Sequence, residues 1–284
     1  MTTSPVRSGA IPGTRTPVVI AHRGASEDFA EHTLTAYTTA LQRGANGVEC
    51  DVRLTADGHL VCVHDRRANR TSNGTGVIST LELAQLEGLD WASWKHADLG
   101  DGVDAPDADP ERGRLLTLRR LLEVLVAEER ELVTFIETKH PTRYRGKVER
   151  RLVALLEEMG LADGPKPGRP EVRVMSFSAT ALRRMRRLAP AVPLVLLVKA
   201  GRPSVAVGAA LPKGVGAVAL DRRIIRRNPE VVRAYHRRGY EVCVWTVNKP
   251  RDVQRCLQLG VDVIITDRPG RVLAQVAEVG TVQE

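Results

Sequence analysis

The sequence predicts an α/β protein with the architecture of a (β/α)8 TIM barrel. Eight short runs rich in Val, Ile and Leu follow one another along the chain, and amphipathic helical patterns separate most of them. Apolar strands of this kind are typical of a parallel sheet that is covered on both faces. The length of 284 residues also suits a barrel, which commonly takes about 250 residues as one unit. An open doubly wound sheet produces the same alternation, so the pattern alone leaves both architectures open.

The elements can be placed along the chain from these patterns. The eight predicted strands are 17–22, 47–52, 132–138, 172–177, 193–198, 216–220, 241–247 and 261–266. The clearest helical patterns are 33–44, 117–129, 147–160, 229–239 and 251–260. Several of these helical patterns end in glycine, which favours a left-handed C-cap. After the second strand, Ala-Asp-Gly at 56–58 predicts a tight turn that returns the chain through 59–65.

One long segment, 66–115, contains no clear strand–helix unit. Loops of this length are usually functional or disordered. We therefore expect an insertion at the carboxyl-terminal rim of the barrel, where (β/α)8-barrel enzymes have their active sites. The predicted organisation is a disordered tail over 1–16, a catalytic barrel domain over 17–275 with the insertion at about 66–115, and a C-terminal tail over 276–284.

Composition argues against several classes of protein. The net charge is +8, but the basic clusters at 182–188 and 221–228 come without a DNA-binding motif or stacking aromatics, so we expect solvated helix faces and no nucleic-acid partner.

No apolar run reaches the roughly 18 residues of a membrane span, and the N-terminus lacks the apolar core of a signal peptide, so we expect a cytoplasmic protein without integral membrane association. The four cysteines lack ligand spacing and are expected to be buried thiols. Composition does not predict the oligomeric state.

Polar residues gather where the predicted strands end. Successive side chains of a strand point to opposite faces, so Glu49 and Asp51 share one face of the second strand. Two carboxylates about 4 Å apart at an effective dielectric near 20 repel by roughly 4 kcal/mol, so a proton, a basic partner or a metal ion must offset the repulsion. Other strand ends and the return segment add these candidates: His22, Arg23, His64, Glu137, Lys139 and Trp245.

The acidic residues of this group predict a metal site. Glu49, Asp51 and Glu137 offer carboxylate oxygens, which suit one hard divalent cation, Mg²⁺ or Ca²⁺. Zinc is a poorer match, because the cysteines stand at positions that are unsuited to ligation.

The basic residues predict phosphate chemistry beside that metal. His22 and His64 can act as general base and general acid. Arg23 and Lys139 can donate to phosphate oxygens, Arg through a fork and Lys as a point charge. A metal with paired histidines, Arg and Lys is typical of metal-assisted phosphodiester cleavage.

Longer motifs make the sequence resemble the glycerophosphodiester phosphodiesterases. The motifs occur in order over about 17–270, with the insertion where this family has its own. They are AHRGAS, Glu31 with Thr33, GANGVECDVRLTADGHLVCVHD, FIETK, VMSF, VWTVN and GVDVIITDRP.

The resemblance implies a (β/α)8 barrel that hydrolyses glycerophosphodiesters to sn-glycerol 3-phosphate and an alcohol. It makes His22 and His64 the acid–base pair, and it makes the glycerol 2-hydroxyl a plausible internal nucleophile that forms a cyclic phosphate. Trp245 would pack against the glycerol backbone, or else serve as a barrel-core aromatic. By motif, the metal ligands would be Glu49, Asp51 and Glu137, and the phosphate ligands Arg23 and Lys139.

One departure from the family concerns the segment after the first strand. The usual Pro-Glu-Asn-Thr is here Ala-Glu-His-Thr at 30–33. The retained Glu31 is expected to orient Arg23. Because His32 replaces the amide, we expect different polar contacts near the phosphate, and the preferred head group is left open.

Two other functions remain as alternatives. A phospholipase-D-like enzyme acting on lysophospholipid or sphingolipid uses a similar barrel, metal and histidine pair, but such enzymes are typically secreted and lack the long insertion. A catalytically inactive barrel that binds polyanions would use the basic surface instead, and it would bind in a salt-sensitive way without hydrolysis.

Overall fold

The strands form a closed barrel, which confirms the predicted (β/α)8 architecture. A computed structural model describes residues 16–95, 111, 113–201 and 210–281, so nearly all of the expected tail at 1–16 lies outside the described residues. Each of the eight predicted strands is present. They are β1 (Val18–His22), β2 (Gly47–Leu54), β4 (Val133–Thr138), β5 (Glu171–Ser176), β6 (Leu194–Val198), β7 (Ala217–Asp221), β8 (Glu241–Trp245) and β9 (Val263–Thr266).

Parallel pairing closes the sheet. The strand order is β1-β9-β8-β7-β6-β5-β4-β2, and β1 also pairs with β2, so that no edge of the barrel is left open. A short strand, β3 (Leu60–Cys62), runs antiparallel to β2 on the outside of this closure, as the turn at 56–58 predicts.

Helices surround the barrel. In the described part of the chain they are α1 (Leu34–Gln42), α2 (Leu83–Glu87), α3 (Leu118–Val126), α4 (Lys147–Glu158), α5 (Ala179–Leu188), α6 (Arg222–Arg227), α7 (Glu230–His236), α8 (Pro250–Leu259) and α9 (Pro269–Thr281). The two basic clusters lie in α5 and α6, which bury Leu182, Met185, Ile224 and Ile225. These arginines therefore belong to the outer faces of amphipathic helices, as predicted. Not one helix among the described residues combines the length and apolarity needed to cross a bilayer.

The C-terminal boundary differs from the prediction. The helix α9 continues to Thr281, so the tail expected over 276–284 begins inside a helix. The reason is that the apolar pattern continues beyond 275, where Val276 is buried like Val272 one turn earlier.

The core consists of two layers. A large cluster lies between the strands and the helices, and a smaller one fills the barrel interior. The four cysteines are unpaired and buried, as expected. Interior side chains come from alternate residues of successive strands, among them Ile20, Phe135, Leu197, Cys243 and Ile265. This alternation determines which residues reach the carboxyl-terminal rim on the inner face.

The described part of the insertion has a small apolar cluster of its own. Short 3₁₀ turns at Ala68–Arg70, Ile78–Thr80 and Ser93–Lys95 accompany α2. The buried members of the cluster are Val61, Val63, Ala68, Ile78, Leu86, Trp91 and Leu115. Residues 96–110 and 112 lie outside the described residues.

Candidate active site

The inner-face alternation brings the predicted residues to one end of the barrel. In three strands an interior apolar residue is followed, two positions later, by a polar or aromatic side chain near the carboxyl end of the same strand. Ile20 precedes His22, Phe135 precedes Glu137, and Cys243 precedes Trp245. Strand register then places His22 beside Glu49 and places Asp51 beside Glu137. Residues 27 and 86 positions apart in sequence thus become neighbours.

The three predicted carboxylates form one cluster. Oxygen atoms of Glu49, Asp51 and Glu137 lie within 4.8 Å of one another, and all three residues are buried. The Oε2 atom of Glu49 is inaccessible to solvent and has no hydrogen-bond partner among the described residues. A buried carboxylate oxygen without a partner is costly, and a cation would remove that cost.

The donor set fits a hard divalent ion. Its oxygens are no farther apart than two ligands on opposite sides of one ion at roughly 2.3–2.6 Å each. Burial and the nearby Asp51 raise the pKa of Glu137 to about 8, and the same two causes raise the pKa of Glu49. Mutual repulsion therefore keeps these acids from ionising together unless positive charge is added.

Two cationic side chains cover Asp51. The Nε atom of Arg23 lies 3.0 Å and the Nζ atom of Lys139 lies 3.1 Å from the Asp51 carboxylate, and Lys139 also lies 2.9 Å from Glu137. Burial opposes ionisation of Asp51, but Arg23, Lys139 and His32 outweigh it and lower the pKa of that carboxyl. Arg23 also donates to Glu31 over 3.0 Å, which is the partnership the sequence predicts.

The loop after β1 has an unusual backbone. Arg23 and His32 both have positive φ angles, 59° and 63°, which non-glycine residues seldom adopt. Backbone strain of this kind persists where the surrounding structure fixes it, often at functional sites. A Cβ on the intervening Gly24 would lie 2.6 Å from the backbone of Ala36, so glycine is required there for α1 to approach.

His32 contacts a metal-ligand candidate and does not line the cavity. Its Nε2 atom lies 3.0 Å from Asp51, and its Nδ1 atom lies 2.8 Å from the hydroxyl of Tyr37. Burial lowers the pKa of His32, so the neutral imidazole donates from Nε2 to Asp51. His32, which replaces the usual amide, therefore holds the Asp51 carboxylate by a hydrogen bond.

The two catalytic candidates share one arrangement. His22 contacts Asp267 through Nδ1 over 2.7 Å, and His64 contacts Asp65 through Nδ1 over 2.6 Å. Each imidazole is therefore held by a carboxylate and keeps Nε2 for another partner. The Nε2 atom of His22 lies 3.9 Å from Glu49. Burial, with Arg23 and Lys139 nearby, lowers the pKa of His64 to about 4, although Asp51 and Asp65 act in the opposite direction.

A cavity of about 280 Å³ opens among these groups. Seven of the nine predicted site residues line it directly: His22, Arg23, Glu49, His64, Glu137, Lys139 and Trp245. Asp51 is buried beneath Arg23 and Lys139, and Glu31 is reached through Arg23. Trp245 lines the cavity but also packs in the barrel interior, where its ring meets Phe177 edge-on at 5.7 Å. Both roles considered for this residue are therefore compatible with its position.

Several residues of the site escaped the sequence-based prediction. Asp267 follows β9 and accepts from Ser26 and Asn248 as well as contacting His22. These hydrogen bonds outweigh its burial and lower the pKa of Asp267 to about 2. The signal was present in the motif GVDVIITDRP, where an acid directly follows the last strand. Arg53, Arg66 and Phe177 also line the cavity. So does Lys199, whose place after the fifth predicted strand allows it to reach the rim although it belongs to none of the recognised motifs.

The barrel and the groups at its carboxyl rim define the class as a barrel hydrolase. The model of the glycerophosphoryl diester phosphodiesterase family matches residues 22–271. A probable glycerophosphodiester phosphodiesterase of Mycobacterium tuberculosis is 45% identical over 91% of this chain and 92% of its own length. A glycerophosphodiester phosphodiesterase of Bacillus subtilis is 32% identical over 89% of this chain and 84% of its own length.

Solved structures show the same fold. An Oleispira antarctica phosphodiesterase, solved with the product sn-glycerol 3-phosphate, superposes with a TM-score of 0.75 at 24% identity, over 92% of this chain and 97% of that one. A glycerophosphodiester phosphodiesterase of Parabacteroides distasonis gives a TM-score of 0.73 at 25% identity, over 94% of this chain and 99% of that one. The chain therefore belongs to the glycerophosphoryl diester phosphodiesterase family and is a phosphoric diester hydrolase.

Proposed function

We propose that the protein is a metal-dependent hydrolase that cleaves glycerophosphodiesters to sn-glycerol 3-phosphate and an alcohol, with His22 and His64 transferring the protons. The observation that carries the proposal is the pair of histidine–carboxylate contacts beside the acid cluster. His22 with Asp267 and His64 with Asp65 supply two oriented imidazoles at one cavity. General acid–base catalysis at a phosphodiester needs two such groups, one to accept a proton and one to donate it.

The acid cluster is the proposed holder of one divalent ion, Mg²⁺ or Ca²⁺. Glu49, Asp51 and Glu137 would be its protein ligands, and the unpartnered Oε2 atom of Glu49 supports this assignment. When bound, the ion supplies positive charge that polarises substrate oxygens and offsets the repulsion among the acids.

Arg23 and Lys139 are the proposed phosphate ligands. Both line the cavity and both contact Asp51, so each can present its remaining N–H groups to a phosphate oxygen without leaving its carboxylate. Arg23 keeps a fixed orientation because Glu31 also accepts from its guanidinium.

The reaction would proceed in two displacements at phosphorus. In the first, one imidazole accepts the proton of the glycerol 2-hydroxyl, whose oxygen bonds to phosphorus while the other imidazole protonates the departing alcohol oxygen. In the second, a water oxygen bonds to phosphorus and the bond from phosphorus to the glycerol 2-oxygen breaks. The imidazole that protonated the alcohol accepts the proton of the water, and the other imidazole returns its proton to the 2-oxygen. The sum is one water consumed per phosphodiester, which yields sn-glycerol 3-phosphate and the free alcohol.

A substrate panel tests this proposal. The purified protein is incubated with glycerophosphocholine, glycerophosphoethanolamine and glycerophosphoinositol, and sn-glycerol 3-phosphate is measured by a coupled assay. We expect its release to stop with chelator and to return with Mg²⁺ or Ca²⁺. Lysophosphatidylcholine and sphingomyelin serve as the comparison substrates. Hydrolysis of these lipids in place of the glycerophosphodiesters would contradict the proposal. A rate of turnover that chelator leaves unchanged would contradict it as well.

A further inference from the structure

The insertion contributes a charged residue that reaches both sides of the active site. Arg70 ends the 3₁₀ turn at Ala68–Arg70 and lies outside the cavity. Its Nε atom donates to Asp65 over 2.6 Å, and its two terminal nitrogens donate to Glu31 over 2.9 and 2.7 Å. One guanidinium therefore joins two carboxylates that belong to different parts of the chain.

Each of these carboxylates holds a residue of the proposed machinery. Asp65 contacts Nδ1 of His64 over 2.6 Å, and Glu31 accepts from Arg23 over 3.0 Å. The resulting series of contacts runs from Arg23 through Glu31, Arg70 and Asp65 to His64. We define it as the Arg70 bridge. It connects a proposed phosphate ligand with a proposed proton-transfer group, and its central residue, Arg70, does not itself line the cavity.

We propose that Arg70 is a positioning residue, which keeps His64 and Arg23 in their working orientations through Asp65 and Glu31. The inference rests on the proposed function, since it assigns Arg70 a role through two residues of that mechanism. Arginine suits the position because its planar fork donates three directed hydrogen bonds to the two carboxylates, whereas a lysine ammonium would constrain their orientation less.

The partners of Arg70 indicate a functional role. Its side chain is 44% exposed, whereas Asp65 and Glu31 are 30% and 13% exposed and hold His64 and Arg23. Despite the partial burial of the two carboxylates, hydrogen bonds and charge from Arg70 lower the pKa of Asp65 and of Glu31 to about 2, so both stay ionised. An ionised Asp65 accepts from Nδ1 of His64, so the imidazole keeps one orientation and one tautomer.

The insertion also reaches the other histidine. Lys95 donates to the carbonyl of Ser26 over 3.0 Å, and the hydroxyl of Ser26 donates to Asp267, the carboxylate that holds His22. The Trp94 ring lies 5.9 Å from the charged groups of both Arg70 and Lys95. This part of the insertion therefore contacts the supports of both imidazoles.

The central experiment compares Arg70→Ala with a matched control. Arg119 makes the same kind of two-pronged contact with Glu158, over 2.9 and 2.6 Å, on the outer surface away from the cavity. With a glycerophosphodiester that the wild type hydrolyses, we expect kcat to fall about 10- to 100-fold in Arg70→Ala, as is usual for residues that orient functional groups. Arg119→Ala should keep the wild-type kcat. Arg70→Ala should lower Tm more than Arg119→Ala does, because Glu31 is 13% exposed and Glu158 is 59% exposed, so kcat is compared at a temperature at which both variants are folded.

Chemical rescue separates positioning from general damage to the fold. Because Arg70 is accessible, methylguanidinium at millimolar concentration should restore part of the turnover of Arg70→Ala while leaving the wild type and Arg119→Ala unstimulated. Arg70→Lys keeps the charge but loses the fork, so it should recover only part of the lost kcat. This variant also provides a folded protein in case the alanine variant is unstable.

Double-mutant cycles identify the route of the effect. If Arg70 acts through Asp65, its removal should cost little in a protein that already carries Asp65→Ala, so that the two losses in kcat/KM are not additive. Wild-type kcat in Arg70→Ala would overturn the inference, and so would additive losses without rescue. Full activity of His64→Ala would instead contradict the proposed function itself, so the two failures can be told apart.

Discussion

The two ends of the barrel each contain a cavity of about 280 Å³ and a cluster of charged side chains. The carboxylates of the two clusters differ in how exposed they are and in how completely they are paired. At the amino-terminal end, Arg173 lies 2.7 Å from Glu171 and 2.6 Å from Glu241, and the two carboxylates are 25% and 32% exposed. At the carboxyl-terminal end, Glu49 and Asp51 are 4% and 1% exposed, and Glu49 retains an oxygen without a hydrogen bond among the described residues.

This difference shows that cavity volume alone does not identify a functional site. The amino-terminal cluster is satisfied, because each carboxylate contacts Arg173 and is partly exposed to solvent. At the carboxyl-terminal end, three buried acids are in contact with two cations, Arg23 and Lys139, within the part of the chain that the structure describes, so the cluster remains incomplete without further positive charge. Buried carboxylates that are incompletely paired are electrostatically unfavourable in the folded protein, and such groups are characteristic of ligand-binding and catalytic sites.

The largest expected effect is on turnover at the carboxyl-terminal end. His22→Ala and His64→Ala should each lower kcat at least about 100-fold, since each removes one proton-transfer group. The matched control is His236→Ala, because His236 also contacts an aspartate, Asp262, over 2.8 Å but lies on α7 away from the cavity. Steady-state kinetics with a glycerophosphodiester measures all three. Full activity in either cavity variant would refute the role of that histidine.

The next effect concerns the incomplete acid cluster. Glu137→Gln should weaken the affinity for Mg²⁺ or Ca²⁺ at least about tenfold, because it removes a charged ligand while keeping the shape of the side chain. Glu241→Gln, at the satisfied end of the barrel, should leave the metal affinity unchanged. Isothermal titration calorimetry measures both affinities. An identical titration for Glu137→Gln and the wild type would show that Glu137 is not a ligand.

The sequence predicts the placement of the acids because their position follows from local rules. Glu49 and Asp51 are two residues apart on one strand, and strand alternation alone puts them on one face. His22 and Glu137 could be added because parallel strands of a barrel have their carboxyl ends on one side. The eight strands were predictable for a related reason, since a buried parallel strand is a short apolar run.

The supporting contacts could not be predicted in this way. The bond between His22 and Asp267 joins residues 245 positions apart, and it depends on how a loop after β9 meets the end of β1. The Arg70 bridge depends on how the insertion folds back on the loop after β1, and the sequence of the insertion has no periodic pattern. His32 was noticed as a departure from the family, but its contact with Asp51 required the positive φ angle that directs the side chain inward.

A smaller effect is expected at the amino-terminal end, and it should appear in stability. Arg173→Met should lower the free energy of unfolding by about 2 kcal/mol, since it leaves two partly buried carboxylates without their cation and removes a guanidinium that lies 5.4 Å from the Phe135 ring. Urea denaturation measures this loss, and kcat at a temperature where the variant is fully folded should match the wild type. A variant that is fully folded but has lost turnover would show that the two ends of the barrel are functionally coupled.

The smallest expected effect is a pH-dependent loss of stability when the carboxylate of Asp267, which holds His22, is removed. The pKa of Asp267 is about 2 in the folded protein and about 3.8 when unperturbed, so its ionisation stabilises the fold above the higher value, and this contribution disappears as pH falls towards 2. The shift corresponds to at most about 2 kcal/mol. Asp267→Asn should therefore lower the free energy of unfolding more at pH 7 than at pH 3, as measured by urea denaturation at both values. A deficit that stays constant between these pH values would mean that the carboxylate charge contributes nothing, and that Asp267 holds His22 through hydrogen-bond geometry alone.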